Sequence, residues 1–335
     1  MPRSTPSACL SLPSLLSLAA LLAAGCSIEI DLDGAAHHGG GYSFDHEGVS
    51  LSRHEEGAFA TAPASVEVVN KFGWIKVEAS EGSYGWSWDG EVWADDSTDA
   101  ETFLRGLLIR VDGSGDHARL EVTLPEPDRD LNGIESNLLL RLPAGARVHL
   151  RNEFGPTFVR EIRGRVEVRS GFGAVEVRGA GDEVDVHNSF ARIDVRGAGA
   201  VSLRNEHGAI VARDVRGNAD IRNGFGPVEL ECYGAEVTVE NEFAQVDVEL
   251  RNRDARRLEV DNSFGAVEVE IPGDADAQLQ VESSFGDVET YLSLPDQDDS
   301  PFEVRMSGGP SGAGLHVRVS NEHGTVRVRR GPSSM

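Results

Sequence analysis

The chain has 335 residues, 39% of them hydrophobic, and a formal net charge of −25. That composition is globular rather than disordered, and so acidic a surface argues against nucleic acid and anionic lipid headgroups as partners. The length suggests two domains, unless the chain is a repeat that grows by adding units instead of enlarging one core.

Residues 1–25 read as a bacterial export signal. Arg3 carries the positive charge, and Leu10 to Ala24 form an apolar run too short to span a bilayer. Leu22-Ala-Ala-Gly-Cys26 resembles a lipoprotein processing site, with Ala23 where leucine is usual. The resemblance implies cleavage after Gly25, lipidation of Cys26 and a membrane anchored through several acyl chains. Ser27 in the next position fits sorting to an outer membrane. With Cys9 in the leader and Cys26 acylated, Cys232 is left alone, so no intrachain disulfide is available to the mature chain. Residues 26–62 are rich in Gly, Ser, Asp and His and read as a flexible tether. His37, His38, His46 and His54 offer at most weak metal binding, and no metal or cofactor is expected.

Residues 63–137 are expected to hold a first copy of a repeat and then an irregular, Trp-rich capping region. The copy is Ser65-Val-Glu-Val-Val-Asn-Lys-Phe-Gly73. Ser97 to Leu104 fits one short helix capped by Ser97 or Thr98. Leu107 to Val111 and Ala118 to Leu124 read as strands joined by Gly113-Ser-Gly115, and Pro125 to Asn137 as loop. Trp86, Trp88 and Trp93, with Trp74 nearby, would cover the open end of a stack of strands, or form a sugar-stacking platform.

Residues 138–330 carry the repeat itself. Lines such as Val166-Glu-Val-Arg-Ser-Gly-Phe-Gly-Ala174 and Val175-Glu-Val-Arg178 alternate, and every second line ends in Asn/Ser-x-Phe/His-Gly/Ala. The corner motif occurs at Asn70 and Phe72, Asn152 and Phe154, Phe172, Asn188 and Phe190, Asn205 and His207, Asn223 and Phe225, Asn241 and Phe243, Asn262 and Phe264, Phe285, and Asn321 and His323. From Phe154 to Phe243 the gaps are 18, 18, 17, 18 and 18, widening to 21, 21 and 38 beyond. A fixed period of about 18 in two half-repeats is a solenoid signature. Val-x-Val puts apolar side chains on one face of a strand, Asn and Gly suit a tight corner, and the Phe reads as a plug stacked on its neighbour. One coil cannot stand alone, so stacking must supply stability through backbone ladders. The expectation is an all-β parallel β-solenoid of about 18 residues per coil in two half-repeats, with an N-terminal cap. Arg151, Arg169, His187, Arg204, Arg222 and Glu240 should form one outward column, and the histidines at 207 and 323 should be packed corner residues.

Leu138-x-Leu-x-Leu-Pro-x-Gly, then Val148-x-Leu-x-Asn-x-Phe-Gly and repeated Val-x-Val, resembles the bacterial "putative adhesin" β-strand-repeat family over about residues 65–328. The resemblance implies a right-handed parallel β-helix in the cell envelope and offers no functional residue to carry over. The residues show no Gly-x-Ser-x-Gly, His-Glu-x-x-His or phosphate loop, and no carboxylate pair stands apart from the solvated pattern. Calcium β-rolls need an Asp in every Gly-rich corner, and only Gly179-Ala-Gly-Asp182 hints at one. The expected function is therefore non-enzymatic: an adhesin or extended binding surface for a glycan or an envelope protein. A passive structural or assembly role is the alternative, and a polysaccharide-active β-helix enzyme a third class.

Overall fold

The computed structural model describes residues 27–31, 48–125, 131–291, 294, 296–300, 303–310 and 312–332. The export signal and Cys26 lie outside the described residues, as do His37, His38 and His46. Among the described residues the strands form two sheets of 14 strands each, and their inner faces share one apolar core.

The Val-x-Val lines dictate this arrangement. Val166–Phe172 buries Val166, Val168 and Ser170 and turns Glu167 and Arg169 outward, and Val175–Arg178 does the same with Val175 and Val177. Within the repeat, strands ending in the corner motif line the first sheet, and the strands that follow them line the second. Within each sheet the coils pair in parallel and in register: Val166 with Val148 and Val184, and Val175 with Thr157 and Ile193.

Several expectations need correction. The tether ends sooner than residue 62, because Val49–Ala58 is a strand with Leu51 and Arg53 buried, antiparallel to Gly85–Ala94. His54 belongs to this strand, and its Nδ1 lies 2.6 Å from Asp89 Oδ1. Nor is the Trp-rich region irregular. Gly85–Ala94 pairs antiparallel with Leu131–Leu142, which places a strand where a loop to Asn137 was expected. Alternation in Asn132-Gly-Ile-Glu-Ser-Asn-Leu-Leu-Leu was hidden by its polar members, of which Ser136 is fully buried.

The helix is Ser97–Gly106, capped one residue earlier than expected by Asp96, whose carboxylate accepts from the Thr98 and Asp99 amides. Arg53 closes the other end by donating to Leu104 O and Leu107 O. Its guanidinium also lies 5.0 Å from the Trp88 ring. Trp88 is fully buried and donates to Ser136 Oγ, while Trp74, Trp86 and Trp93 are half-buried.

Chain order fails at both ends of the stack. Ser65–Phe72 lies between His117–Thr123 and Arg147–Phe154. At the far end Leu315–His323 sits between Arg257–Phe264 and Ala277–Phe285, with Val326–Arg330 correspondingly between Val267–Ile271 and Val288–Thr290. The last coil in sequence is therefore the penultimate coil in space.

Candidate binding surface

Each corner places neighbouring positions in distinct environments, and this sets the chemistry of the surface. In Arg151-Asn152-Glu153-Phe154 the arginine points outward, Asn152 is buried, and the phenylalanine ends the strand. The register repeats that arrangement coil after coil.

The asparagines are interior. Asn70, Asn152, Asn188, Asn205, Asn223, Asn241, Asn262 and Asn321 are all buried, with Ser170 and Ser283 in the same column. Asparagine was expected for its tolerance of positive φ, but no described asparagine adopts one. The left-handed residue is the one after the aromatic, such as Gly155 (φ 113°), and alanine takes that strained conformation at Ala191 (82°) and Ala244 (102°). Asparagine is there to donate. Asn152 Nδ2 reaches Gly73 O at 2.9 Å and Gly155 O at 3.0 Å, and Asn223 Nδ2 reaches Gly226 O at 2.7 Å. Toward the far end the amides link to one another, Asn241 to Asn262 at 2.8 Å and Asn262 to Asn321 at 3.1 Å. Buried turn carbonyls need partners, and this column supplies them.

The aromatics stack, but they are not interior plugs. Phe72, Phe154, Phe172, Phe190, His207, Phe225, Phe243, Phe264, His323 and Phe285 form one pile with centroids 4.6–5.1 Å apart and planes within 15°. Their edges face solvent, with Phe225 47% and Phe285 55% exposed. The bend explains this: pleating alone would put the ring on the same inner face as the Asn two positions before it, but the strand ends and bends there, and the ring meets the rings above and below rather than the core. His207 is exposed within the pile, contrary to a packed corner role, whereas His323 is half-buried.

Beside the pile runs a groove of about 1090 Å³, extending from Ser65–Phe72 to Leu315–His323. One wall is the expected column Arg151, Arg169, His187, Arg204, Arg222 and Glu240, held in register. The other wall, Glu153, Gly171, Ser189, Glu206, Gly224 and Glu242, was missed. Its signal was present as the residue just before each aromatic, but its mixed chemistry concealed a column.

Charges in the groove are partly satisfied internally. Arg169 pairs with Glu167 at 3.1 Å, Arg204 with Asp220 at 3.7 Å and Arg222 with Glu240 at 3.5 Å. Arg204 also lies 2.7 Å from His187 Nε2. Burial, then the charges of Arg169 and Arg204, hold the His187 imidazole below its ordinary pKa, so it stays neutral and accepts from Arg204. Farther along, burial and the carboxylates of Glu259 and Glu240 raise the Asp261 carboxyl despite Arg318. The groove thus changes from a basic wall at Arg151–Arg222 to an acidic one at Glu240–Asp261. Among the described residues no group of three His, Cys, Asp or Glu is placed to hold a metal ion.

No family model matches the chain, and neither does any curated protein. Among solved structures it is similar to a "putative adhesin" from Bacteroides fragilis, at 9% identity over 83% of this chain and 97% of that chain, with a TM-score of 0.40. It is similar to a "putative lipid binding protein" from Parabacteroides distasonis, at 11% identity, the same coverages and a TM-score of 0.45. A "putative cell adhesion protein" from Clostridium sporogenes gives 10% identity over 83% and 99%, with a TM-score of 0.27. At these values the likeness carries no argument about what this chain does.

Proposed function

We propose that this chain is a non-enzymatic, lipid-anchored protein of the cell envelope, in which a right-handed solenoid of about 18 residues per coil presents an extended binding surface. The groove beside the aromatic pile carries this reading. It crosses successive coils without interruption, and its lining repeats with the coil instead of converging on one reacting point. A surface of that kind suits an elongated ligand, a glycan chain or an extended segment of an envelope protein, held by many weak contacts.

The test is binding of the full mature chain to a glycan array and to solubilised envelope proteins, beside the triple variant Arg151→Glu, Arg169→Glu and Arg204→Glu. Binding by the parent and at least tenfold weaker binding by the variant is expected. Undiminished binding by the variant would remove the groove from the account. The internal pairing of Arg169, Arg204 and Arg222 favours a second reading, a passive structural element whose charges serve only its own coils. Absence of any ligand of either class, with the protein shielded from protease and antibody in intact cells, would select that reading.

A further inference from the structure

The displaced C-terminal coil has an electrostatic explanation. Residues 312–332 carry Arg318, Arg327, Arg329 and Arg330 against one acid, Glu322. The coil on one side, residues 257–271, has Glu259, Asp261, Glu268 and Glu270 against Arg257, and the coil on the other, residues 277–290, has Glu282, Asp287 and Glu289 with no base. A basic coil thus lies between two acidic ones. Arg327 reaches both neighbours, Glu268 at 3.3 Å and Glu289 at 2.7 Å. Arg318 lies 3.7 Å from Glu259, and Arg329 lies 3.1 Å from Glu270.

Stacking in chain order would remove this arrangement. The two acidic coils would then meet in the register they now share through the inserted one, with Glu268 beside Glu289 and Asp261 beside Glu282. Like charges directly opposite across a ladder are destabilising. The apolar pattern opposes neither order, since each coil offers alternating apolar rungs and an aromatic to the pile, Leu258 and Val260 in one wall and Leu279 and Val281 in the other, with Thr290 where the inner wall has Val269. Charge thus distinguishes the two orders.

We propose that the slot between residues 257–271 and 277–290 is a coil-acceptor site, and that it takes the C-terminal coil of a second copy of this chain as well as its own. Neither wall of the slot adjoins the inserted coil in sequence, but the outer wall, residues 277–290, joins the stack only through that coil, so an incoming coil must restore both ladders at once. Three of the six residues in the connection 309–314 are glycine, which allows it many backbone paths. The inserted coil's ladder bonds, Gly265 N to His323 O, Gly324 N to Phe285 O and Val326 N to Asp287 O, are the same whichever copy supplies it. Reciprocal exchange closes a two-fold dimer in which every rung of a single copy is present.

Cysteine pairs test this in the full mature chain. Ser320 and Glu282 are register partners, at a spacing a disulfide can bridge. A single chain carrying both Ser320→Cys and Glu282→Cys should close an intramolecular bond, and failure to do so would overturn the register on which the proposal stands. When a Ser320→Cys copy is mixed with a differently tagged Glu282→Cys copy, a covalent heterodimer should accumulate, faster in high salt because screening loosens the resident coil. Adding Arg318→Glu, Arg327→Glu and Arg329→Glu to the Glu282→Cys copy should make it the better acceptor, by about tenfold in rate. If the double variant closes its own bond while the mixture stays monomeric at every salt concentration, exchange does not occur and the proposal fails.

Discussion

Replacing Asn152 tests what holds the corners. Its side chain is 2% exposed and donates to Gly73 O in the neighbouring coil and Gly155 O in its own. Alanine leaves both carbonyls without that donor. At about 1–3 kcal/mol for each unsatisfied buried group, with some relief from water entering at the groove, Asn152→Ala should cost about 2–4 kcal/mol. Serine should cost about half as much, because Ser283 in the same column still donates from Oγ to Gly324 O at 3.2 Å. Aspartate should be worst at neutral pH, since it turns a charge toward carbonyl oxygens. Burial would raise that carboxyl, so the folded state would bind its proton at higher pH than the unfolded state. Stability would therefore return as pH falls through the raised value. The assay is the urea midpoint of each variant, with hydrogen exchange at residues 147–172 to localise the loss. The reasoning is refuted if Asn152→Leu matches the parent within about 0.5 kcal/mol, or if aspartate is no worse than alanine at neutral pH.

Gly155→Ala should destabilise by at least about 2 kcal/mol, read by thermal unfolding, because the residue sits at φ 113° and its Cβ would lie 2.2 Å from Gly73 O. The Cys232 thiol is buried and its pKa is pushed up to about 11 by that burial, so a thiol reagent at neutral pH should modify it only at the rate of unfolding. Asp247 is raised by burial and by Glu249 and Glu268, so Asp247→Asn should stabilise by about 0.5 kcal/mol at neutral pH and lose that advantage in acid, where the parent carboxyl is protonated. His187 is lowered in the folded state, so the unfolded chain binds the proton first and stability falls as pH drops below 6.5. His187→Gln should flatten that part of a stability–pH profile. Glu289 is held down by its hydrogen bond to Arg327, which makes its contribution present at neutral pH and lost as pH falls through its folded value. Protection factors, corrected for the slower intrinsic exchange in acid, should therefore fall at Val326–Arg330 before they fall at Val175–Arg178.

Much of the stack was legible because it is periodic. Val-x-Val announced strands, the recurring aromatics announced a pile, and the column from Arg151 to Glu240 followed from spacing alone. What the sequence concealed was direction at the corner. Period and motif were the same whether Asn or Phe turned inward, and only the bend of the strand decides that the amide is buried and the ring edge exposed. The antiparallel cap was hidden for a different reason. Its strands bury Arg53, Ser136 and Trp88 beside small residues such as Gly90, so no simple apolar alternation marks them. Coil order was concealed most completely, because it depends on which distant coil has the complementary charge.

That last point connects stability with specificity in this molecule. Apolar burial and ladder bonding drive coils together, but they are nearly identical from coil to coil and cannot distinguish one neighbour from another. Individual surface ion pairs are worth little, yet between alternatives that bury equal apolar surface a small difference repeated along a rung is enough to choose. Lys71 beside Glu153 and Arg119 beside Glu67 knit the N-terminal coils in the same way that Arg327 knits the C-terminal ones. Under the proposed function the outward columns therefore have two demands on them, ordering the coils and facing a ligand. The groove wall from Arg151 to Arg222 lies on coils that stack in chain order and need no charge to order them. There the arginines are freest to serve the proposed binding.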